Sequence, residues 1–158
     1  MTKVVTIGVY GFDADSFLKC LRQADVSVLM DVRQRRGVRG HEYAWANSQR
    51  LQAALADAGI AYEHHTDLAP TTDMRQAQYA EDDRLGVGKR SRQVLSDSYA
   101  RRYTAEILAH ADLAPIATGD GVAALFCVEA DAEACHRSLV AERLAKEFGV
   151  TVEHLHPA

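Results

Sequence analysis

Three runs of residues, Val4-Val5-Thr6-Ile7-Gly8-Val9, Val26-Ser27-Val28-Leu29-Met30 and Val122-Ala123-Ala124-Leu125-Phe126-Cys127-Val128, are apolar almost throughout. A strand without a polar face is covered on both sides, as in a parallel sheet, and a parallel sheet needs helical crossovers between its strands. The intervening segments have the matching pattern. Over residues 14–24, Phe17, Leu18 and Leu21 fall on one helical face behind Asp13, an N-cap residue. After a basic loop at 33–39, Leu51, Ala54, Leu55 and Ala58 form a second stripe, closed by Gly59. Ile60-Ala61-Tyr62-Glu63-His64 is a shorter and more polar strand, suited to a sheet edge. A helix over 93–111 turns Val94, Tyr99, Tyr103, Ile107 and Leu108 inward and Arg101 and Arg102 outward. Another, from about residue 135 to 148, leads through Gly149 into a last strand, Val150-Thr151-Val152-Glu153-His154-Leu155. Residues 65–90 have little periodicity and read as a long irregular loop. The prediction is a three-layer α/β fold with a mainly parallel sheet of about five strands and flanking helices.

The chain has 158 residues, 47% of them hydrophobic, which suits one domain over 1–158. No apolar run approaches the ~18 residues of a membrane span, so no membrane partner is expected. Met1 leads directly into the first strand, without a secretory pattern, and the three cysteines are unevenly spaced. Both features point to a reducing compartment, the cytoplasm, and away from a disulfide framework. A net charge of −4 conceals a clustering, since ten of the eighteen basic residues lie in 33–39 and 84–102. Anionic partners are therefore expected: a phosphate- or carboxylate-bearing small molecule, a nucleotide, or nucleic acid.

In open parallel sheets ligands bind beyond the carboxyl ends of the strands. Those ends carry Asp31-Val32-Arg33, His64-His65, Cys127-Val128-Glu129, and His154 with His156, and the last helix begins at Cys135-His136-Arg137-Ser138. Backbone N–H groups at that helix start, with Ser138 and the fork of Arg137, suit an anion, and Arg33 would oppose them. The structural alternative is that Arg137 pairs internally with Glu129 or Asp31. For catalysis, His136 or His64 would move protons, oriented by Glu129 and Asp31. Cys135 beside His136 and Arg137 would be an activated nucleophile, although the sixth residues after Cys127 and Cys135 are Glu133 and Ala141, not the Arg of a phosphatase loop. Cys127, in an apolar strand, reads as a small core residue. His154 and His156, with His64, His65 and Asp67, are the alternative for metal, but their spacing is not diagnostic, and no metal or cofactor is assigned. Arg84, Lys89, Arg90, Arg92, Arg101 and Arg102 around Tyr99 and Tyr103 would either track a nucleic-acid strand or form a solvated helix with core tyrosines.

The stretch from Leu125 to Leu139, with Cys127-Val128-Glu129, an acidic spacer and Cys135-His136-Arg137-Ser138, resembles the signature of the DUF488 family of domains of unknown function. Thr6-Ile7-Gly8, Asp31-Val32-Arg33, Gly59-Ile60-Ala61-Tyr62-Glu63-His64 and Val152-Glu153-His154 extend the resemblance over nearly the whole chain. The chain departs from the family pattern at Val9 and at Leu68-Ala69-Pro70. The resemblance implies an α/β fold and a site near Glu129, Cys135, His136 and Arg137, with no established reaction. Two functional readings follow. One is a small cytoplasmic enzyme, an acid–base or thiol-dependent transferase or hydrolase, that takes an anionic ligand at Asp31, Arg33, Arg137 and Ser138. The other is a non-catalytic module that binds nucleic acid through its Arg-rich segments. A third possibility is that the rim charges form a purely structural network of ion pairs.

Overall fold

The structure is a computed structural model that describes residues 3–88 and 91–158. Five strands, β1 (Lys3–Ile7), β2 (Val26–Asp31), β3 (Ala61–His64), β4 (Val122–Phe126) and β5 (Thr151–His154), form one sheet in the order β3-β2-β4-β1-β5. Every pairing is parallel. The three apolar runs occupy the middle of the sheet, and the two polar, alternating strands take its edges, where one face meets solvent.

Helices α1 (Ala14–Gln23), α2 (Ser48–Asp57), α3 (Thr72–Leu85), α4 (Asp97–Glu106), α5 (Ala114–Ala117) and α6 (Arg137–Phe148) supply the crossovers. Asp13 caps α1 as expected: its carboxylate accepts from the Ser16 N–H, and the Ser16 hydroxyl accepts from the Asp13 N–H. The expected strands are all present, with ends that shift by one or two residues. None of the helices is long and apolar enough to cross a membrane among the described residues.

Two expectations about helices are corrected. Residues 65–90 are not a loop throughout, because α3 occupies 72–85 between the Thr71 cap and Gly86, whose φ is +72°. Its inward side is Met74, Gln78 and Asp82. Two of those three are polar, so an apolar stripe was never there to be read. The helix expected over 93–111 is confined to 97–106, and Val94, expected inside, is 67% exposed. Ser96 ends the preceding loop by accepting the Tyr99 N–H, which fixes the helix start there.

The topology places a site. From β2 the chain crosses outward to β3, and from β4 it crosses the other way, past β1, to β5. Neighbouring strands whose connections diverge open a crevice at their carboxyl ends. The segments leaving β2 and β4 line a cleft of about 700 Å³ at that point.

Candidate active site

The carboxyl end of β2 is fixed by a buried ion pair. Asp31 and Arg33 point to the same side of the chain, and the guanidinium donates from Nε to Asp31 Oδ1 at 2.9 Å and from Nη2 to Oδ2 at 2.8 Å. Nη1 donates to the Ala46 carbonyl at 3.0 Å, and the Tyr62 hydroxyl donates to Asp31 Oδ2 at 2.7 Å. The guanidinium lies over the Phe126 ring, 4.7 Å from its centroid. With every arm engaged, Arg33 forms the wall of the cleft and is not a free clamp for a ligand.

Arg137 is more deeply placed than expected. It is fully buried, and Nη1 and Nη2 donate to the Glu129 and Ala130 carbonyls at 2.7 and 3.3 Å. Its Nε has no hydrogen-bond partner among the described residues. The expected pairing with the carboxylate of Glu129 or Asp31 is replaced by these carbonyl contacts. Arg137 therefore acts from beneath the loop that follows β4, and it does not reach the ligand space. Ser138 is buried too, its hydroxyl donating to the Cys135 carbonyl at 2.9 Å.

The carboxylate of Glu129 is held instead by Arg92. That guanidinium donates to Glu129 Oε1 at 2.8 Å and Asp82 Oδ2 at 2.6 Å, and two of its nitrogens reach the Ala134 carbonyl. Burial would lower the Arg92 pKa, but Glu129 and Asp82 outweigh it and raise it. Of the two readings of the Arg-rich segment, the buried tyrosines fit the core one, and Arg92, expected among the surface cations, joins them inside. The structure turns all three inward: Tyr99 and Tyr103 are 6% and 0% exposed and have no face on which a base could stack. Arg84 and Arg102 pair with Glu81 and Glu106 along their own helices, and Lys89 and Arg90 lie outside the described residues.

Cys127, Cys135 and His136 converge on the floor of the cleft. Nδ1 of His136 is 3.7 Å from Cys135 Sγ and 4.0 Å from Cys127 Sγ. Its Nε2 is 2.8 Å from the Val32 carbonyl, which only accepts, so Nε2 carries a proton and Nδ1 faces the sulfurs. Burial opposes ionisation of Cys135, but a hydrogen bond from Cys127 and the cations His136 and Arg137 overcome it and lower its pKa well below the usual thiol range. Cys127 moves the other way, raised by its hydrogen bond to Cys135 and by burial. Burial likewise disfavours imidazolium at His136, yet the Cys135 thiolate raises its pKa. These shifts favour a thiolate at Cys135 next to His136, with the thiol of Cys127 kept neutral beside it. Cys127 is thus part of the site and not merely core.

Gly8 makes room for this loop. A Cβ there would lie 1.9 Å from the Glu129 carbonyl oxygen, the acceptor for Arg137 Nη1. Gly8→Ala is expected to cost about 1–3 kcal/mol by overpacking and to disturb the Arg137 contact. Urea denaturation of the variant, with the rate of Cys135 alkylation as a second readout, checks this; unchanged stability would show that the loop yields freely.

His64 is not in the cleft. It sits on β3 and its Nε2 is 2.9 Å from the Arg33 carbonyl, where it supports the β2 loop. The histidines considered for metal are separated by the whole sheet, because β3 and β5 are opposite edges. His65 pairs with Glu63, and His154 Nδ1 meets the Thr6 hydroxyl at 2.8 Å. The mouth of the cleft is basic. Arg35 is exposed, and Arg75 donates to uncharged oxygens, Gln34 Oε1 at 2.8 Å and the Tyr79 hydroxyl at 3.2 Å, with its guanidinium over the Tyr79 ring. Neither guanidinium meets a carboxylate among the described residues, and Arg39 lines the same wall. The contribution of Arg75 and Tyr79 was hidden with α3.

The family model described as "Domain of unknown function DUF488" matches residues 13–144. The chain belongs to the DUF488 family. The match spans β2, β3 and β4, the basic mouth, and the Cys127–Arg137 segment, so the site lies within the family domain. Neither the curated proteins nor the solved structures compared with it contain a match.

Proposed function

We propose that this DUF488 protein is a small enzyme, a thiol-dependent transferase or hydrolase that acts on a phosphate- or carboxylate-bearing ligand in a reducing compartment such as the cytoplasm. The supporting observation is one juxtaposition: a Cys135–His136 pair on the floor of a cleft whose mouth carries Arg35 and Arg75, which meet no carboxylate among the described residues. The anion would be drawn in by those arginines, while Arg33, Arg92 and Arg137 keep the floor rigid. Cys135 Sγ would attack the electrophilic centre of the ligand, forming a bond to sulfur as the bond to the leaving group breaks. The Nδ1 proton of His136 would pass to the leaving group. Water or another hydroxyl would then displace the enzyme thiol, returning its proton to His136.

Two alkylating reagents that differ in charge test this reading. Iodoacetamide is the neutral reagent and iodoacetate the anionic one. At low ionic strength Cys135 is expected to react faster with iodoacetate, and added salt should remove the advantage as it screens the arginines. In Arg35→Gln/Arg75→Gln the preference should be lost while the reaction with iodoacetamide persists. Cys135 that ignores both reagents, or prefers the neutral one at every salt concentration, would rule out an anion-selective thiol site.

A further inference from the structure

Cys127, Cys135 and His136 have a property that nucleophilic chemistry does not require. Their two sulfurs and Nδ1 lie within 4.8 Å of one another, with the nitrogen 3.7 and 4.0 Å from the sulfurs. In a tetrahedral site with bonds of about 2.3 Å to sulfur and about 2.0–2.1 Å to nitrogen, adjacent donor atoms are about 3.5–3.8 Å apart. The imidazole nitrogen is therefore within about half an ångström of ligand spacing from each sulfur, and the two sulfurs lie no more than 4.8 Å apart. A nucleophile needs one thiol; here a second is brought against the same imidazole nitrogen.

The imidazole is also oriented as a ligand. Its Nε2–H is tied to the Val32 carbonyl at 2.8 Å, so in the neutral ring the lone pair is on Nδ1, facing both sulfurs. An outer hydrogen bond of this kind fixes tautomer and ring angle in metal-bound histidines. Val32 lies between Asp31 and Arg33, whose ion pair anchors that carbonyl. The three side chains are buried, yet all line the cleft, so an ion would arrive through the basic mouth.

We propose that Cys127, Cys135 and His136 bind one thiophilic divalent cation of the zinc class, with the fourth coordination position open to the cleft. Two thiolates and a neutral imidazole balance the dication. Binding displaces the protons held on the two sulfurs and on Nδ1, and these leave to solvent. No electron is transferred. This goes beyond the enzymatic reading and gives the floor two states. Without metal the Cys135 electron pair is available to an electrophile; with metal it lies in the sulfur–metal bond.

Co²⁺ added to the reduced full-length protein reports the site directly. One equivalent should give a thiolate-to-cobalt charge-transfer band and the intense visible bands of tetrahedral cobalt, and one equivalent of Zn²⁺ should bleach both. Bound Zn²⁺ should also protect Cys135 from iodoacetamide. Cys127→Ala should weaken Co²⁺ by more than about 100-fold, beyond the loss expected from removing an outer-shell partner. Cys127→Ser is the companion variant should the alanine fail to fold, and Cys20→Ala should change nothing. Absence of a charge-transfer band at one equivalent, or the same band in both Cys127 variants, overturns the site. The anionic-ligand reading fails separately, through loss of iodoacetate selectivity while cobalt still binds.

Discussion

Asp31→Ala is expected to destabilise the protein by about 3–5 kcal/mol, the usual consequence of leaving one partner of a buried ion pair behind. Asp31 is fully buried and accepts from Arg33 Nε, Nη2 and backbone N–H as well as from the Tyr62 hydroxyl. Its removal leaves a guanidinium that is 2% exposed with one carbonyl, Ala46, and the face of Phe126 for company. Removing both charges should hurt less than removing one. Asp31→Ala/Arg33→Met is expected to recover a large share of the loss, as a buried pair is often replaceable by apolar packing. Urea denaturation of the two single variants and the double gives the coupling. If each single variant loses less than about 1 kcal/mol, the range of an exposed pair, water must reach the pair and Arg33 is freer than its burial suggests.

The same pair shows how far the sequence could be read. Asp31-Val32-Arg33 was legible as strand-end chemistry because a residue pair at i, i+2 lies on one side of an extended chain. The alternation of apolar runs with helical stripes made the parallel sheet legible for a similar reason: one crossover architecture satisfies it. What each charge touches was not legible. Arg33 and Arg137 read as a clamp, and both are drawn inward, one by a carboxylate two residues away and the other by the carbonyls at 129 and 130. Those choices depend on side-chain burial, which a list of strand ends does not contain. Helix α3 failed to register because its inner face is a polar network, Gln78 donating to Asp82 and accepting from the Ser96 N–H. An available signal was the bracket of Thr71 and Gly86, a cap residue and a left-handed terminator with the fourteen residues 72–85 between them. Cys127 was hidden by its surroundings, since an apolar strand makes any thiol look like packing. Its partnership with Cys135 and His136 arises because α6 begins directly above the end of β4.

Arg92→Met is the other substitution with a large expected effect, about 3–5 kcal/mol, since it strands two buried carboxylates at once. Asp82 and Glu129 are 3% and 6% exposed and come from α3 and from the loop after β4. Arg92 is the charge between them, and it also donates to the carbonyl of Ala134, the residue before Cys135. A variant without it has two like charges facing one another across a dry gap, and the segment carrying Cys135 loses its tether. Stability should therefore fall together with the iodoacetate preference of Cys135, as α3 moves away and takes Arg75 from the mouth of the cleft. Arg84→Met, which breaks the exposed pair with Glu81 on the same helix as Asp82, is the control and should change neither property. Asp82→Asn/Glu129→Gln in the Arg92→Met background should restore much of the stability, because the amides remove the repulsion and can still hydrogen-bond. Restored stability without restored selectivity would assign Arg92 two separable tasks: neutralising the carboxylates, and holding the Ala134 carbonyl so that Cys135 meets His136. Recovery of both together would show that charge balance alone sets the floor of the cleft.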